Sequence, residues 1–198
     1  MKLGEDFVLA LWRPEDGEER RQALLRRLSP GDWAFLWGSS SPKRLEERAL
    51  AQSLMLEACA ILGQPELSIR RDPLGAPFCE PWGLFVSASH RLGRCAAVAA
   101  RCPVGLDLEP PQPLRETWLR YLQPEERLFL QQSGDKERDF ARLWTLKEAY
   151  GKCLGRGLPA ARGLCFFPGE KASCEDEGVL LENRSWAGWE IGLCFKKM

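Results

Sequence analysis

The sequence predicts an α+β fold made of two similar halves packed as a pseudodimer, and three observations lead there. The chain has 198 residues, enough for one ordinary domain or two small ones, and a chain of that length buries roughly 70% of its unfolded surface. Its apolar pattern switches repeatedly between helical and strand periods instead of holding to one. The order strand, helices, then two or three strands is read once from the N-terminus and again from Pro103. The halves are therefore set at 1–102 and 103–198. No residue-level repeat links them, so element order alone carries the duplication.

The elements follow in order. Phe7 to Trp12 reads as a strand stopped by Pro14. Glu15 to Leu28 is charged with an apolar edge at Ala23, Leu24, Leu25 and Leu28, a surface helix ended by Ser29-Pro30-Gly31, and Gly38 to Pro42 is a loop. Lys43 to Leu62 contains neither Gly nor Pro, and Leu50, Leu54, Ala58 and Ile61 recur at helical spacing before Gly63 caps it. Leu67-Ser68-Ile69 alternates and Asp72 to Gly75 is a turn. Leu84–Ser89 and Arg94–Ala100 are strands joined by a turn from His90 to Gly93. Val104 to Glu109 is a strand halted by Pro110-Pro111. Helices are expected at Leu114–Tyr121, Pro124–Gln132 and Lys136–Leu154, and strands near Gly163–Phe167, Val179–Glu182 and Trp189–Phe195.

Lys plus Arg and Asp plus Glu number 28 each, so the formal net charge is zero and no overall field draws the molecule to nucleic acid or an anionic membrane. Any phosphate binding has to come from a local cluster. Glu5 and Asp6 ahead of the short Phe7–Trp12 run do not make a secretory signal, and no run nears the roughly 18 apolar residues of a membrane span. The eight cysteines contain no Cys-x-x-Cys pair, which with a single histidine argues against zinc. They are expected to be reduced thiols in a cytoplasmic protein.

Three places could carry chemistry. Asp107 and Glu109 stand two apart on a strand, hence on one face, where like charges repel. A hard divalent ion such as Mg²⁺ relieves that repulsion; two solvated acids on an edge strand would also explain the pattern. On the helix from Phe140 to Lys152, Leu143, Leu146, Tyr150 and Leu154 form an apolar stripe. Trp144, Glu148 and Lys152 form a second face with Lys147 beside them. That face offers a third carboxylate and two ammonium groups, or simply a surface ion pair. Gly151, followed by Gly155 and Gly157, suggests a helix end lying close to a ligand. The third place is Ser89-His90 at a strand end, suited to grip a phosphate or to serve structure alone.

Ser89-His90, then Gly105-Leu106-Asp107-Leu108-Glu109, then Trp144-Thr145-Leu146-Lys147-Glu148-Ala149-Tyr150-Gly151-Lys152 resemble in order the signature of the 4′-phosphopantetheinyl transferases. The length and two-half layout look like the single-chain Sfp type. The resemblance implies an Mg²⁺-dependent transfer of phosphopantetheine from coenzyme A to a serine of an apo acyl or peptidyl carrier protein, with release of 3′,5′-ADP, by a monomer. It assigns Asp107, Glu109 and Glu148 to Mg²⁺ and Lys152, His90 and Ser89 to phosphates of coenzyme A. Lys147, the other motif lysine, is counted with the coenzyme A contacts, and Glu148 is the general base, directly or through a metal-bound water. Arg48 matches the family's arginine near the start of the first long helix, an arginine that helps hold coenzyme A. Gly75 and Pro77 fit the family's Gly-Lys-Pro turn, with Ala76 in the place of its lysine. The basic cluster before the long helix is thin, with Lys43 and Arg44 only. The segment Leu114–Leu122, with Arg115 beside Trp118, is expected to meet the acidic carrier. Two other readings stay open: a non-catalytic module binding coenzyme A or a carrier, and an Mg²⁺-dependent nuclease.

Overall fold

The computed structural model describes residues 7–39, 41–65, 68–73, 75–80, 83–169 and 171–197. The acidic N-terminal segment, Ser40 of the expected loop, Leu67, Leu74 of the expected turn and the side chain of Lys43 lie outside the described residues. The chain divides into two compact units, Met1–Arg101 and Cys102–Met198. Among the described residues no helix is long and apolar enough to cross a membrane. None of the eight cysteines is in a disulfide.

The first unit opens with β1 (Phe7–Trp12) and continues through α1 (Gly17–Leu25), α2 (Pro30–Ser39) and α3 (Pro42–Ile61). Four strands follow: β2 (Ser68–Arg71), β3 (Pro77–Glu80), β4 (Phe85–Arg91) and β5 (Arg94–Ala100). β1, β5 and β4 form an antiparallel sheet with β5 in the middle, where Val98 stands between Leu9 and Ser87. Along α3, Leu50, Leu54, Ala58 and Cys59 share one stripe and are buried against Trp12, Val86, Cys95, Ala97 and Ala99. The small side chains of β5 let the helix sit low on the sheet.

Three expectations need correction here. Residues 30–39 form a helix, not an interruption: Pro30 suits the first helical position, and Ser29 and Asp32 cap each other's backbone N–H groups at 3.1 and 2.9 Å. Leu36 of that helix is fully buried beside Leu28 and Ala49. β3 was not expected as a strand; it forms a hairpin with β2 around Gly75, whose φ of +86° suits glycine. His90 does not belong to a turn. It lies inside β4 opposite Cys95, and only Leu92 and Gly93, both at positive φ, make the two-residue connection.

The second unit has β6 (Val104–Glu109), α4 (Pro124–Gln132), α5 (Lys136–Cys153), short β7 (Phe166–Phe167) and β8 (Ser173–Cys174), then β9 (Val179–Trp186) and β10 (Trp189–Lys196). Its sheet order is β6-β10-β9, so the first strand pairs with the last of its unit, as β1 does with β5. The expected helix over Leu114–Tyr121 is a 3₁₀ turn at Glu116–Tyr121. Its Trp118 stacks on Phe140 at 5.2 Å while the Arg115 guanidinium lies 4.9 Å above the indole. The core is built on α5, where Phe140, Leu143, Leu146 and Ala149 are fully buried.

Two glycines set how closely α5 approaches the sheet. A Cβ on Gly105 would overlap the Ala149 carbonyl, and one on Gly192 would overlap the Thr145 carbonyl. Gly192 pairs with Asp107, and Gly105 is on the same face of β6 two residues before it. Replacing Gly192 by Ala is expected to cost about 1–3 kcal/mol by overpacking, read as a lower urea midpoint. Gly134→Ala, where a Cβ meets nothing within 4 Å, should stay within about 0.5 kcal/mol.

Candidate active site

The close approach of α5 decides what faces Asp107. Its Oδ1 accepts a 2.8 Å hydrogen bond from Lys152 Nζ, which also donates to the Leu106 carbonyl at 2.9 Å. Glu148, one turn earlier on α5, is close enough to feel both groups. Burial pushes its carboxyl above the usual range first, the Asp107 charge adds to that, and Lys152 opposes it. Glu109 is buried on the same face of β6 and accepts from Gln112 Nε2 at 2.9 Å. Opposite Glu109, Glu190 is fully buried and held by Arg138 at 2.7 Å, Arg142 at 3.1 Å and Ser185 at 2.8 Å. Those two guanidiniums neutralise Glu190 and fix the first half of α5 to the sheet.

The three carboxylates expected to hold a metal are not gathered into a ready cage. Among the described residues no group of three or more His, Cys, Asp or Glu side chains stands close enough to bind an ion. The donor chemistry still suits a hard cation: two carboxylates, with the Asp107 charge raising the proton affinity of Glu148, half-buried or better and offering oxygen atoms only. Mg²⁺ commonly takes one or two carboxylates and completes its shell with water and phosphate oxygens.

Lys147 needs correction as a coenzyme A contact. It is fully buried on the core side of α5, paired with Glu126 at 2.8 Å, donating to the Leu164 carbonyl at 3.0 Å and 4.5 Å above the Phe166 ring. Burial lowers its proton affinity and Glu126 resists that. Gly151 likewise faces its own chain, not a ligand. A Cβ there would overlap the Gly157 carbonyl, and the Gly151 carbonyl accepts from the N–H groups of Arg156 and Gly157, both at 3.1 Å.

In the first unit, His90 Nδ1 lies 3.2 Å from Glu47 Oε2. Ser89, next to it on β4, is half-buried opposite Ala96. Arg48 acts electrostatically on Arg71, a residue that sequence reasoning passed over. Burial, and then the charge of Arg48, lower the proton affinity of the Arg71 guanidinium. Arg71 donates to Gln52 Oε1 at 3.2 Å and to the Gly75 carbonyl at 3.3 Å, while its Nε is buried without a hydrogen-bond partner. The Arg71 guanidinium, held at the Gly75 carbonyl and feeling the charge of Arg48, makes a site that an anion would relieve. The Arg70-Arg71 dipeptide just before that turn was the available signal.

Residues 103–183 match the family model described as the 4′-phosphopantetheinyl transferase superfamily. Over those residues, about two fifths of the chain, the protein is similar to that superfamily. It is 27% identical over 202 aligned positions to the L-aminoadipate-semialdehyde dehydrogenase-phosphopantetheinyl transferase of Saccharomyces cerevisiae, covering 89% of this chain and 74% of that protein. It is also 38% identical over 91 positions to the 4′-phosphopantetheinyl transferase HetI of Nostoc sp., covering 43% of this chain and 38% of that protein. The match of the superfamily model takes in β6, α4 and α5, the elements that bring Asp107, Glu148 and Lys152 together.

The buried Lys147–Glu126 pair yields a stability test. Lys147→Met leaves the Glu126 charge uncompensated and is expected to cost about 3–5 kcal/mol in urea unfolding. Adding Glu126→Gln to that variant should recover a substantial part of the loss, because the isolated charge is then gone.

Proposed function

We propose that this protein transfers the 4′-phosphopantetheine arm of coenzyme A to a serine hydroxyl of an apo acyl or peptidyl carrier protein, releasing 3′,5′-ADP. The observation that carries this reading is the grouping of Asp107, Glu148 and Lys152 by the close contact of α5 with β6. Asp107, Glu148 and, on the same strand face, Glu109 would hold Mg²⁺. When bound, that ion supplies positive charge to the pyrophosphate.

The rest falls to the chain's own groups. Lys152 is a third exposed while Asp107 is nearly buried, so the ammonium can share its donors between Asp107 and a phosphate oxygen on the leaving side. Glu148, directly or through a water, accepts the proton of the attacking serine hydroxyl. His90 meets a second phosphate. Arg48 and Arg71 take the phosphate at the nucleotide end, so that Arg71 stands in for the cation missing at Ala76. In-line attack then breaks the pyrophosphate bond and leaves phosphopantetheine on the carrier.

Incubation with coenzyme A, Mg²⁺ and a panel of apo carriers should add the mass of one phosphopantetheine to a carrier, with EDTA preventing it. Asp107→Asn and Glu148→Gln are each expected to lower the rate by about 100-fold or more. Full activity of either variant, or no mass gain on any carrier, would overturn the reading. At the nucleotide end, Arg71→Gln should raise the KM for coenzyme A by about 10-fold, the scale of one charge-assisted contact, and Ala76→Lys should lower it. An unchanged KM in both would place the nucleotide elsewhere.

A further inference from the structure

His90 is the single histidine of the chain, and a carboxylate that belongs to none of the three motifs is fastened to it. Glu47 reaches the β4–β5 hairpin from α3 with both oxygens engaged. Oε2 is 3.2 Å from His90 Nδ1, and Oε1 accepts the Gly93 N–H at 2.6 Å. Its backbone carbonyl accepts a 3.5 Å contact from the thiol of Cys95, the cross-strand partner of His90. The acid is thus pinned at a strand, at the turn that ends it, and at the neighbouring strand.

We infer that Glu47 is a positioning residue for His90, holding the Nδ1 proton and the orientation of the ring so that a cationic imidazole is presented to phosphate. Only the last clause rests on the phosphate reading of His90 given above; the coupling of Glu47 to His90 does not.

The direction of the effect follows from elementary chemistry. An ionised carboxylate has no proton to give, so Nδ1 must be the donor of the shared hydrogen bond. A proton kept on Nδ1 makes Nε2 the ring's second donor once the imidazole is charged, and the adjacent negative charge favours that form. Both side chains are about a quarter exposed, 28% for His90 and 26% for Glu47, so solvent screens the pair only in part. The thiol of Cys95 records the same local field. It is pushed well above its ordinary value, by burial first and then by Glu47 and Glu46. Among the described residues, charged groups near the hairpin include Arg91 and Arg94 at its end, the latter paired with Glu15 at 3.4 Å, Arg48 next to Glu47 on α3, and Glu18, Arg21 and Glu46, which line one cavity with Glu47 and Gly93.

Glu47→Gln in the full chain separates charge from architecture, because the amide oxygen can still accept from Gly93. With one histidine present, imidazole ¹⁵N and Hε1 signals arise from His90 alone. In the wild type the neutral ring should carry its proton on Nδ1. In the Gln variant the titration midpoint should fall by about one pH unit and the Nδ1–H preference should weaken. Glu47→Asp, which keeps the charge but draws it back, should fall between the two. Above the wild-type midpoint, Glu47→Gln should raise the KM for coenzyme A about three- to ten-fold with little change in kcat. Midpoint and ¹⁵N pattern unchanged in both folded variants would overturn the coupling. A lowered midpoint with an unchanged KM would uphold the coupling and instead remove His90 from phosphate binding.

Discussion

The distance between α5 and the sheet beneath it governs the second unit. Gly105 on β6 and Gly192 on β10 leave no side chain between sheet and helix, so carbonyls of α5 lie where Cβ atoms would otherwise be. That contact brings Lys152 to Asp107 and sets Glu148 near enough to compete for protons. One more methyl group in that seam would move the helix by a good part of an ångström, and charged groups that work at hydrogen-bond distance do not survive such a shift. Glu190, gripped by Arg138 and Arg142, fixes the same helix nearer its start. The buried Lys147–Glu126 pair holds its other side.

Charge is handled differently in the two units. In the second, acids from β6 and β10 crowd one sheet face, and Asp107 and Glu190 are matched by cations from a single helix. In the first, the charge of Arg48 bears on the buried Arg71, and Glu47, one residue from Arg48, holds His90. A molecule with no net charge thereby holds a locally acidic cluster in one unit and a locally basic one in the other.

Much of this was legible in the residues. β1, α3, β6, α4 and α5 follow from apolar period and from breakers that act as such. The acid pair on β6 follows from strand alternation. α2 was hidden because Pro30, Gly31 and Gly38 read as loop, while the cap that overrides them, Ser29 with Asp32, spans only four residues. Lys147 could not be read correctly from a helical wheel. Position 147 lies beside 148 on the helix surface, and the acid that draws it inward comes from α4. Arg71 and Glu47 escaped for the same reason: each acquires its meaning from a partner on another element, a tertiary fact that no local pattern encodes.

The eighteen residues of α5 carry the core stripe, the clamp on Glu190, the buried lysine and the two groups facing Asp107. Almost every face of that helix is therefore committed, and improvement at one would be felt at the others. Anyone redesigning this protein for a different acceptor would do better to leave α5 untouched. The freedom lies outside α5, where Leu114 in the connection after β6 and Leu128 and Phe129 on α4 stand exposed with few obligations to the interior.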